Sequence, residues 1–400
     1  MKKKILIVAA NMEIGGAERA LLGLLEAIDT DIYDVDLFLL HHSGPFMRMI
    51  PSKIHLLPEI SKYADITLPY LTVLKQGHFG VACGRLKGKV KANQFLKKNH
   101  CHGEDSVRSL YSFLYTKKYL PMISEQKYDL ALGFSTPYYI VDEKVIADKK
   151  AVWIHTDYSK QLSDKDEELK SWSAYRYIVS ISDSVTNSFV QKYPSLKDRI
   201  IRIDNILLAS VVRKQADLLN VSEKISDDKS IKLLSVGRFV PAKNFDNVPA
   251  ICSLLIDKGF NVKWYLIGYG GDEELIRNRI REYHMENRVI VLGKKDNPYP
   301  YMKACDLYIQ PSRYEGKCVS VREAQMLCKP VVITNYPTSS SQLDDGIDGV
   351  IVPMDNEGCA EGISTVLKDQ ELLNKLQKNC SERDYSNEEE VKKIYKMVNG

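Results

Sequence analysis

Eight cysteines are scattered through these 400 residues, at 83, 101, 252, 305, 318, 328, 359 and 380, and none falls in a C-x-x-C pair or at a metal-ligand spacing. That scatter argues against a disulfide framework or a structural zinc site, and for reduced, mostly structural thiols. No apolar run approaches the roughly 20 residues needed to cross a bilayer. Met-Lys-Lys-Lys followed by Ile5-Leu-Ile-Val-Ala-Ala10 has the charge order of a signal peptide, but the apolar run is too short and stops at Asn11. A first β-strand is expected there, and the chain is expected to stay in the cytosol. Internal repeats and low-complexity tracts are absent. Gly268-Tyr-Gly270-Gly271 lacks the spacing of a G-x-G-x-x-G fingerprint, which argues against a dinucleotide-dependent oxidoreductase. Asp29-Thr-Asp31 has a cation-holding D-x-D pattern, yet it sits in a polar turn with Asp34 and Asp36, and a solvated loop accounts for it better. Neither a metal nor a cofactor is expected.

What is present is an ordinary globular composition, 44% hydrophobic and 27% charged. The length is too great for one core and suits two domains of about 200 residues each. Apolar runs of strand length recur at 4–9, 35–40, 129–134, 151–155, 176–181 and 199–204. After the polar stretch 220–230 they recur at 231–236, 262–267, 288–292, 306–310, 330–334 and 349–353. Helical patterns alternate with them, which predicts an α/β protein with two parallel, Rossmann-like sheets. The expected domains are 1–207 and 208–385, with the crossover near Ile203 to Ser210. The stretch from Ser386 to Val398 reads as an amphipathic helix with Ser386 as its cap and acids in its first turn.

Two motifs carry candidate chemistry. In Ser312-Arg-Tyr-Glu315-Gly316-Lys-Cys-Val-Ser-Val-Arg-Glu323, two carboxylates lie eight positions apart across a turn that leads from a buried strand into a helix. Glu315 is expected on the loop at the strand's carboxyl end, with Gly316 allowing close backbone approach, and Glu323 in the helix. Free amides at the helix start favour an anion such as phosphate, and carboxylates accept hydrogen bonds from sugar or ribose hydroxyls. The bland alternative is a glutamate favoured by the helix dipole alone. The second motif, Leu233-Leu-Ser-Val-Gly237-Arg238-Phe-Val-Pro241-Ala-Lys243, is again an apolar strand ending in glycine and cations. Pro241 interrupts any helix, so Arg238 and Lys243 can converge on one anion; otherwise they are two solvated surface cations.

Together these residues resemble the retaining glycosyltransferases of family 4. The matching text also includes Gly15-Gly-Ala-Glu-Arg19, Trp153-Ile-His155-Thr-Asp157, Ile203-Asp-Asn205, Leu266-Ile-Gly268-Tyr-Gly270, Cys328-Lys-Pro330 and Asp348-Gly349-Val-Ile-Val-Pro353. The resemblance implies the GT-B fold, with two Rossmann-like domains facing across an interdomain cleft and the helix at 386–400 packing back on the first domain. It implies transfer of a sugar from a nucleotide-sugar donor, UDP-linked before GDP-linked, to a saccharide or lipid-linked acceptor with retention, in surface polysaccharide synthesis. Arg238 and Lys243 then clamp the diphosphate in place of a metal, and Glu323 holds the ribose hydroxyls. Glu315, with the backbone of Gly316, Lys317, Cys318 and Val319, approaches the donor sugar and distal phosphate. Gly268 and Lys294 lie near the base. On the first domain, Gly16 offers its amide to the diphosphate, His155 contacts substrate, and Asp157 and Gly15 are acceptor-side candidates. Many relatives carry an aromatic after the glycine where this chain has Lys317-Cys318, which leaves the donor sugar open. A catalytically inactive scaffold of the same fold is the competing reading.

Charge is uneven along the chain. From Lys75 to Lys118 there are ten Lys and Arg against two acids, a local net of +8, whereas the whole chain is +4. Interleaved Phe79, Phe95, Tyr111, Phe113 and Tyr115 suit an anionic membrane surface or a lipid-linked pyrophosphate. A solvated basic helix pair is the alternative, and no nucleic-acid recognition motif accompanies the charge, so no nucleic-acid partner is expected.

Overall fold

A computed structural model of the chain describes residues 2–13, 15–99, 105–134, 138–155, 158, 163–221, 224–225, 228–315 and 318–400. The chain divides into two compact units, Met1–Ile206 with Asn387–Gly400, and Leu207–Ser386.

The first unit is built on seven strands: β1 (Lys3–Ala9), β2 (Tyr33–Leu39), β3 (His55–Leu56), β4 (Lys127–Gly133), β5 (Ile146–Ile154), β6 (Tyr177–Ser180) and β7 (Ile200–Arg202). They pair in parallel in the order β3-β2-β1-β4-β5-β6-β7. Alternation along β1 sends Ile5 and Ile7 into one apolar cluster and Leu6 and Val8 into another, so both faces of the sheet are covered. The two-residue β3 is too short to stand out in the sequence. The carboxyl-terminal helix, Val391–Asn399, buries Val391, Ile394, Met397 and Val398 in the cluster that holds Ile5 and Ile7. Tyr395 stacks on Tyr33 with ring centroids 4.6 Å apart. Its start differs from expectation: Ser386 is no helix cap, because its hydroxyl accepts from the Ala209 amide at 3.0 Å, and a 3₁₀ turn, Glu388–Glu390, leads in.

Before β4 comes a helical hairpin, Phe79–Lys98 and Asp105–Thr116. Gly80, Gly84 and Gly88 recur every four residues on the first helix. A Cβ on Gly84 would fall 2.5 Å from Tyr115 O, and one on Gly88 2.6 Å from Tyr111 O and Ser112 Cα. Only glycine lets the two backbones approach this closely. Among the described residues, no helix is long and apolar enough to cross a membrane.

The second unit has six parallel strands in the order β10-β9-β8-β11-β12-β13: β8 (Ile231–Val236), β9 (Val262–Ile267), β10 (Val289–Gly293), β11 (Leu307–Gln310), β12 (Val331–Thr334) and β13 (Val350–Val352). The order turns back between β8 and β11, as it does between β1 and β4 in the first unit. In doubly wound sheets, ligands bind outside the strands' carboxyl ends at such a switch point. The seven described cysteines carry no disulfide.

Candidate functional site

The loops that leave β8 and β11 meet at the switch point of the second unit. Arg313 ties them together. Its guanidinium grips Asp246 through both nitrogens, at 2.9 and 2.7 Å, and the Pro241 carbonyl at 2.6 Å, while its amide donates to Ala242 O at 2.8 Å. Within this fastening the Lys243 ammonium lies 2.5 Å from Glu315 Oε1 and 3.7 Å from Cys318 Sγ. Gly237 makes room for it, since a Cβ there would stand 3.1 Å from Lys243 Cε. Burial works against the Lys243 charge, but Cys318 and Glu315 offset it and hold the amine above its ordinary pKa. Burial likewise pushes the Cys318 thiol up, and the Glu315 carboxylate adds to that shift. Arg238 is exposed and makes no ion pair with any described residue.

Beneath Glu315 runs a polar relay that the sequence reading missed. Ser312 donates to Glu315 Oε1 at 2.6 Å, Gln310 donates to Ser312 Oγ at 2.9 Å, and Tyr308 donates to Gln310 Oε1 at 2.8 Å. The three alternate along and just beyond β11, and a glutamine in a fully buried strand was the available signal. Thr338 adds a bond to the Glu315 carbonyl at 2.8 Å. Gln342 accepts from the Cys318 amide at 2.7 Å and donates to its carbonyl at 3.2 Å, fixing the entry to helix Val319–Met326. Among the described residues, no side-chain hydrogen bond caps the first turn of that helix. Gly316 and Lys317 lie outside the described residues, as does Asp157.

Glu323 is fully buried in this helix, and Tyr299 donates to its Oε1 at 2.7 Å. Gly268 follows β9 and packs against the end of β8, where a Cβ would fall 1.8 Å from the Gly237 carbonyl oxygen. Lys294 follows β10 and lies over the Tyr269 ring, 4.9 Å from its centroid. Arg238, Lys243, Gly268, Lys294 and Glu315 thus all leave the carboxyl ends of neighbouring strands, with Cys318, Val319 and Glu323 just beyond β11.

In the first unit, helix Gly16–Ala27 follows β1 with Gly15 as its cap residue, in extended backbone. The Glu18 carboxylate occupies the space a Gly15 Cβ would need, 2.1 Å away, whereas nothing lies within 4 Å of a Cβ on Gly16. A carboxylate therefore already stands at this helix start. Burial raises its pKa, partly countered by a hydrogen bond from its own amide. His155 lies just past β5, stacked on Trp153 and tilted against Phe134. Its Nε2 is 2.7 Å from the Phe134 carbonyl, so Nε2 carries the proton and Nδ1 is the acceptor. Nδ1 is buried without a partner among the described residues, and burial lowers the ring's pKa to about 4. At neutral pH this is a neutral acceptor, not a general acid. Asp29 and Asp31 lie in the turn after the first helix, where Asp29 Oδ1 accepts from the Asp31 amide at 2.9 Å. Among the described residues, no three His, Cys, Asp or Glu side chains group in a way that could hold a metal ion.

The chain is similar to known proteins in sequence and in fold. Residues 220–383 match the family described as Glycosyl transferases group 1. Over 162 residues the chain is 31% identical to an N-acetylgalactosamine-N,N'-diacetylbacillosaminyl-diphospho-undecaprenol 4-alpha-N-acetylgalactosaminyltransferase of Campylobacter jejuni, covering 39% of this chain and 43% of that one. It is 24% identical over 254 residues to a poly(ribitol-phosphate) alpha-N-acetylglucosaminyltransferase of Staphylococcus aureus, covering 62% and 50%. The chain thus spans about half the length of these curated relatives. Its fold is that of HepE from Anabaena, crystallised with UDP and glucose, at 15% identity with a TM-score of 0.66 over 100% of both chains.

Proposed function

We propose that this chain, whose residues 220–383 match the group 1 glycosyl transferases, moves a sugar from a nucleoside-diphosphate sugar, a UDP-sugar first, to a saccharide or lipid-linked acceptor in surface-glycan synthesis. The observation that carries this reading is the cluster at the β8/β11 switch point: a half-buried Lys243 ammonium, an uncommitted Arg238 guanidinium and a helix start that no described side chain caps. All three favour a diphosphate. As the bond from the anomeric carbon to the distal phosphate oxygen breaks, its electron pair stays on the departing diphosphate. Fixed cations stabilise that developing charge without reorganising. The acceptor hydroxyl oxygen bonds to the anomeric carbon and gives up its proton to the departing phosphate oxygen. Retention of configuration and independence from metals rest on the resemblance to family 4.

The remaining roles follow in the proposed complex. Glu315, already bonded by Lys243 and Ser312, positions the ammonium and meets the donor sugar, with the backbone of 316–319 beside the distal phosphate. Tyr299 uses one acceptor position of Glu323, and the ribose hydroxyls take others. Gly268 and Lys294 border the base. Gly16 and Gly15 lie by the diphosphate and the acceptor, His155 Nδ1 accepts from a sugar hydroxyl, and Asp157 faces the acceptor. Membrane attachment through the Lys75–Lys118 region belongs to the same proposal.

The test is turnover of a panel of UDP- and GDP-sugars, with saccharide and polyprenyl-diphosphate acceptors, read as nucleoside diphosphate released. Release that depends on acceptor, and is lost in Lys243→Ala, is expected. No release from any donor, with nucleotide binding unchanged in Lys243→Ala, would mean a scaffold.

A further inference from the structure

A pocket separate from the β8/β11 site opens in the first unit, along the helical hairpin. It has a volume of about 440 Å³ and is lined by Tyr70, Arg85, Lys89, Asn93, Arg108 and Phe113 among others. That volume lies within the roughly 300–1,000 Å³ usual for small-molecule sites. Three cations face it and, among the described residues, no Asp or Glu lines it. The imbalance begins in the sequence, since helix Phe79–Lys98 carries six Lys and Arg and no acid.

Arg85 is the fixed member. One guanidinium nitrogen donates to the carbonyls of Asp65 at 2.8 Å and Leu68 at 2.5 Å, and the plane lies 4.4 Å from the Tyr70 ring centroid. Carbonyl dipoles and a ring face orient a guanidinium without cancelling its charge. The nearby Asp65 carboxylate is buried and is bonded by His78 instead. No described carboxylate pairs with Arg85 or with the exposed Lys89. The close approach at Gly84 and Gly88 keeps the hairpin tight, so Ser109 and Ser112 on the second helix join the same pocket wall.

We propose that this pocket binds the phosphate or diphosphate group of an ester, whose organic part lies against Tyr70 and Phe113. A planar guanidinium held in place presents two parallel donors to phosphate oxygens, Lys89 adds a mobile charge, and hydroxyls complete the shell. The ester is either membrane-borne or soluble, and the two sources share this recognition chemistry. The site stands apart from the donor site proposed above, and its binding is measurable whether or not transfer is observed.

The test is titration calorimetry of the full chain with inorganic pyrophosphate, in saturating UDP so that the donor site is filled. Wild type is expected to bind, more weakly as salt rises. Lys89→Gln, an exposed change that leaves folding alone, should weaken binding at least threefold, and Arg85→Gln at least tenfold with thermal unfolding checked alongside. Phosphatidylcholine vesicles carrying a polyprenyl diphosphate, and a soluble sugar phosphate, then compete against pyrophosphate. Preference for either one assigns the source and supports the site. Absence of pyrophosphate binding in wild type overturns the proposal, as does equal affinity in all three proteins.

Discussion

The ammonium of Lys243 and the carboxylate of Glu315 are 2.5 Å apart, although 72 residues separate them in the chain. Their side chains are only 17% and 12% exposed, so each is the other's main counter-charge. Losing either partner strands a charge, at roughly 2–3 kcal/mol, somewhat below the cost for a fully buried pair. The two changes separate in their effect on nucleotide. Lys243→Met should lower UDP affinity at least tenfold. Glu315→Gln should leave UDP affinity equal or tighter, because it frees the ammonium for the diphosphate. Chemical denaturation and UDP titration of both variants check this, and equal losses of UDP affinity in the two would refute the clamp.

Glu323 is buried beside Tyr299, and its proposed partner is the ribose. Wild type should therefore bind UDP more tightly than 2',3'-dideoxy-UDP, by the roughly 1.5–3 kcal/mol of a hydrogen bond to a charged group. Glu323→Gln should narrow that ratio while Tyr299→Phe preserves it. Competition binding with the two nucleotides reads the ratio directly. An unchanged ratio in Glu323→Gln would remove the ribose role.

The sheets were legible because buried parallel strands are short apolar runs such as Ile5 to Ala9, which stops at Asn11, and Leu233 to Val236, which stops at Gly237 and Arg238. The ends of those runs also marked Arg238 and Glu315, since loops at strand ends carry the polar residues. Glu315's support was hidden: Thr338 and Gln342 approach it and Cys318 from more than 20 residues away, and no local pattern encodes such contacts. The Ser386 cap failed for the opposite reason. Its local pattern was correct, but a tertiary bond to the Ala209 amide claimed the hydroxyl. In the hairpin, the four-residue spacing of Gly80, Gly84 and Gly88 was visible in the sequence yet masked by the more conspicuous lysines around it.

If Lys243 and Arg238 supply the positive charge at the diphosphate, no divalent cation is required there. Activity should survive excess EDTA. The measurement is initial rate of nucleoside diphosphate release with EDTA and with added magnesium or manganese. A strict requirement for either ion would transfer the clamp to a metal.

Gly88 sits inside a helix, where alanine would ordinarily gain about 1 kcal/mol. Here the added methyl would lie 2.6 Å from both Tyr111 O and Ser112 Cα, so backbone must move. Overpacking of this kind costs roughly 1–3 kcal/mol, and Gly88→Ala should destabilise. Gly77 and Gly259, in turns with no atom near a Cβ, are poor controls because their φ is positive. Gly271 has open space and no such φ, so Gly271→Ala should be nearly neutral. Urea midpoints of the two variants decide the matter, and a stabilised Gly88→Ala would contradict the close helix contact.

His155 gives the acid limb of stability its sign. Its folded pKa is about 4 because burial disfavours the imidazolium, against an ordinary value of 6.5. Between those values the unfolded chain takes up a proton that the folded chain refuses, so stability is fully present above pH 6.5 and falls as the pH drops toward 4. A shift of this size corresponds to about 3 kcal/mol in all. Below pH 4 both states are protonated and the loss stops growing. Carboxylates add their own acid sensitivity, so the useful quantity is the difference between wild type and His155→Gln. The variant keeps a donor for the Phe134 carbonyl but cannot titrate, and its urea-derived stability should fall less steeply from pH 6.5 to 4. Parallel curves would show that the ring reaches solvent and titrates normally. It would then be charged near pH 6, and its Nδ1 would no longer be the buried acceptor that the proposed sugar contact needs.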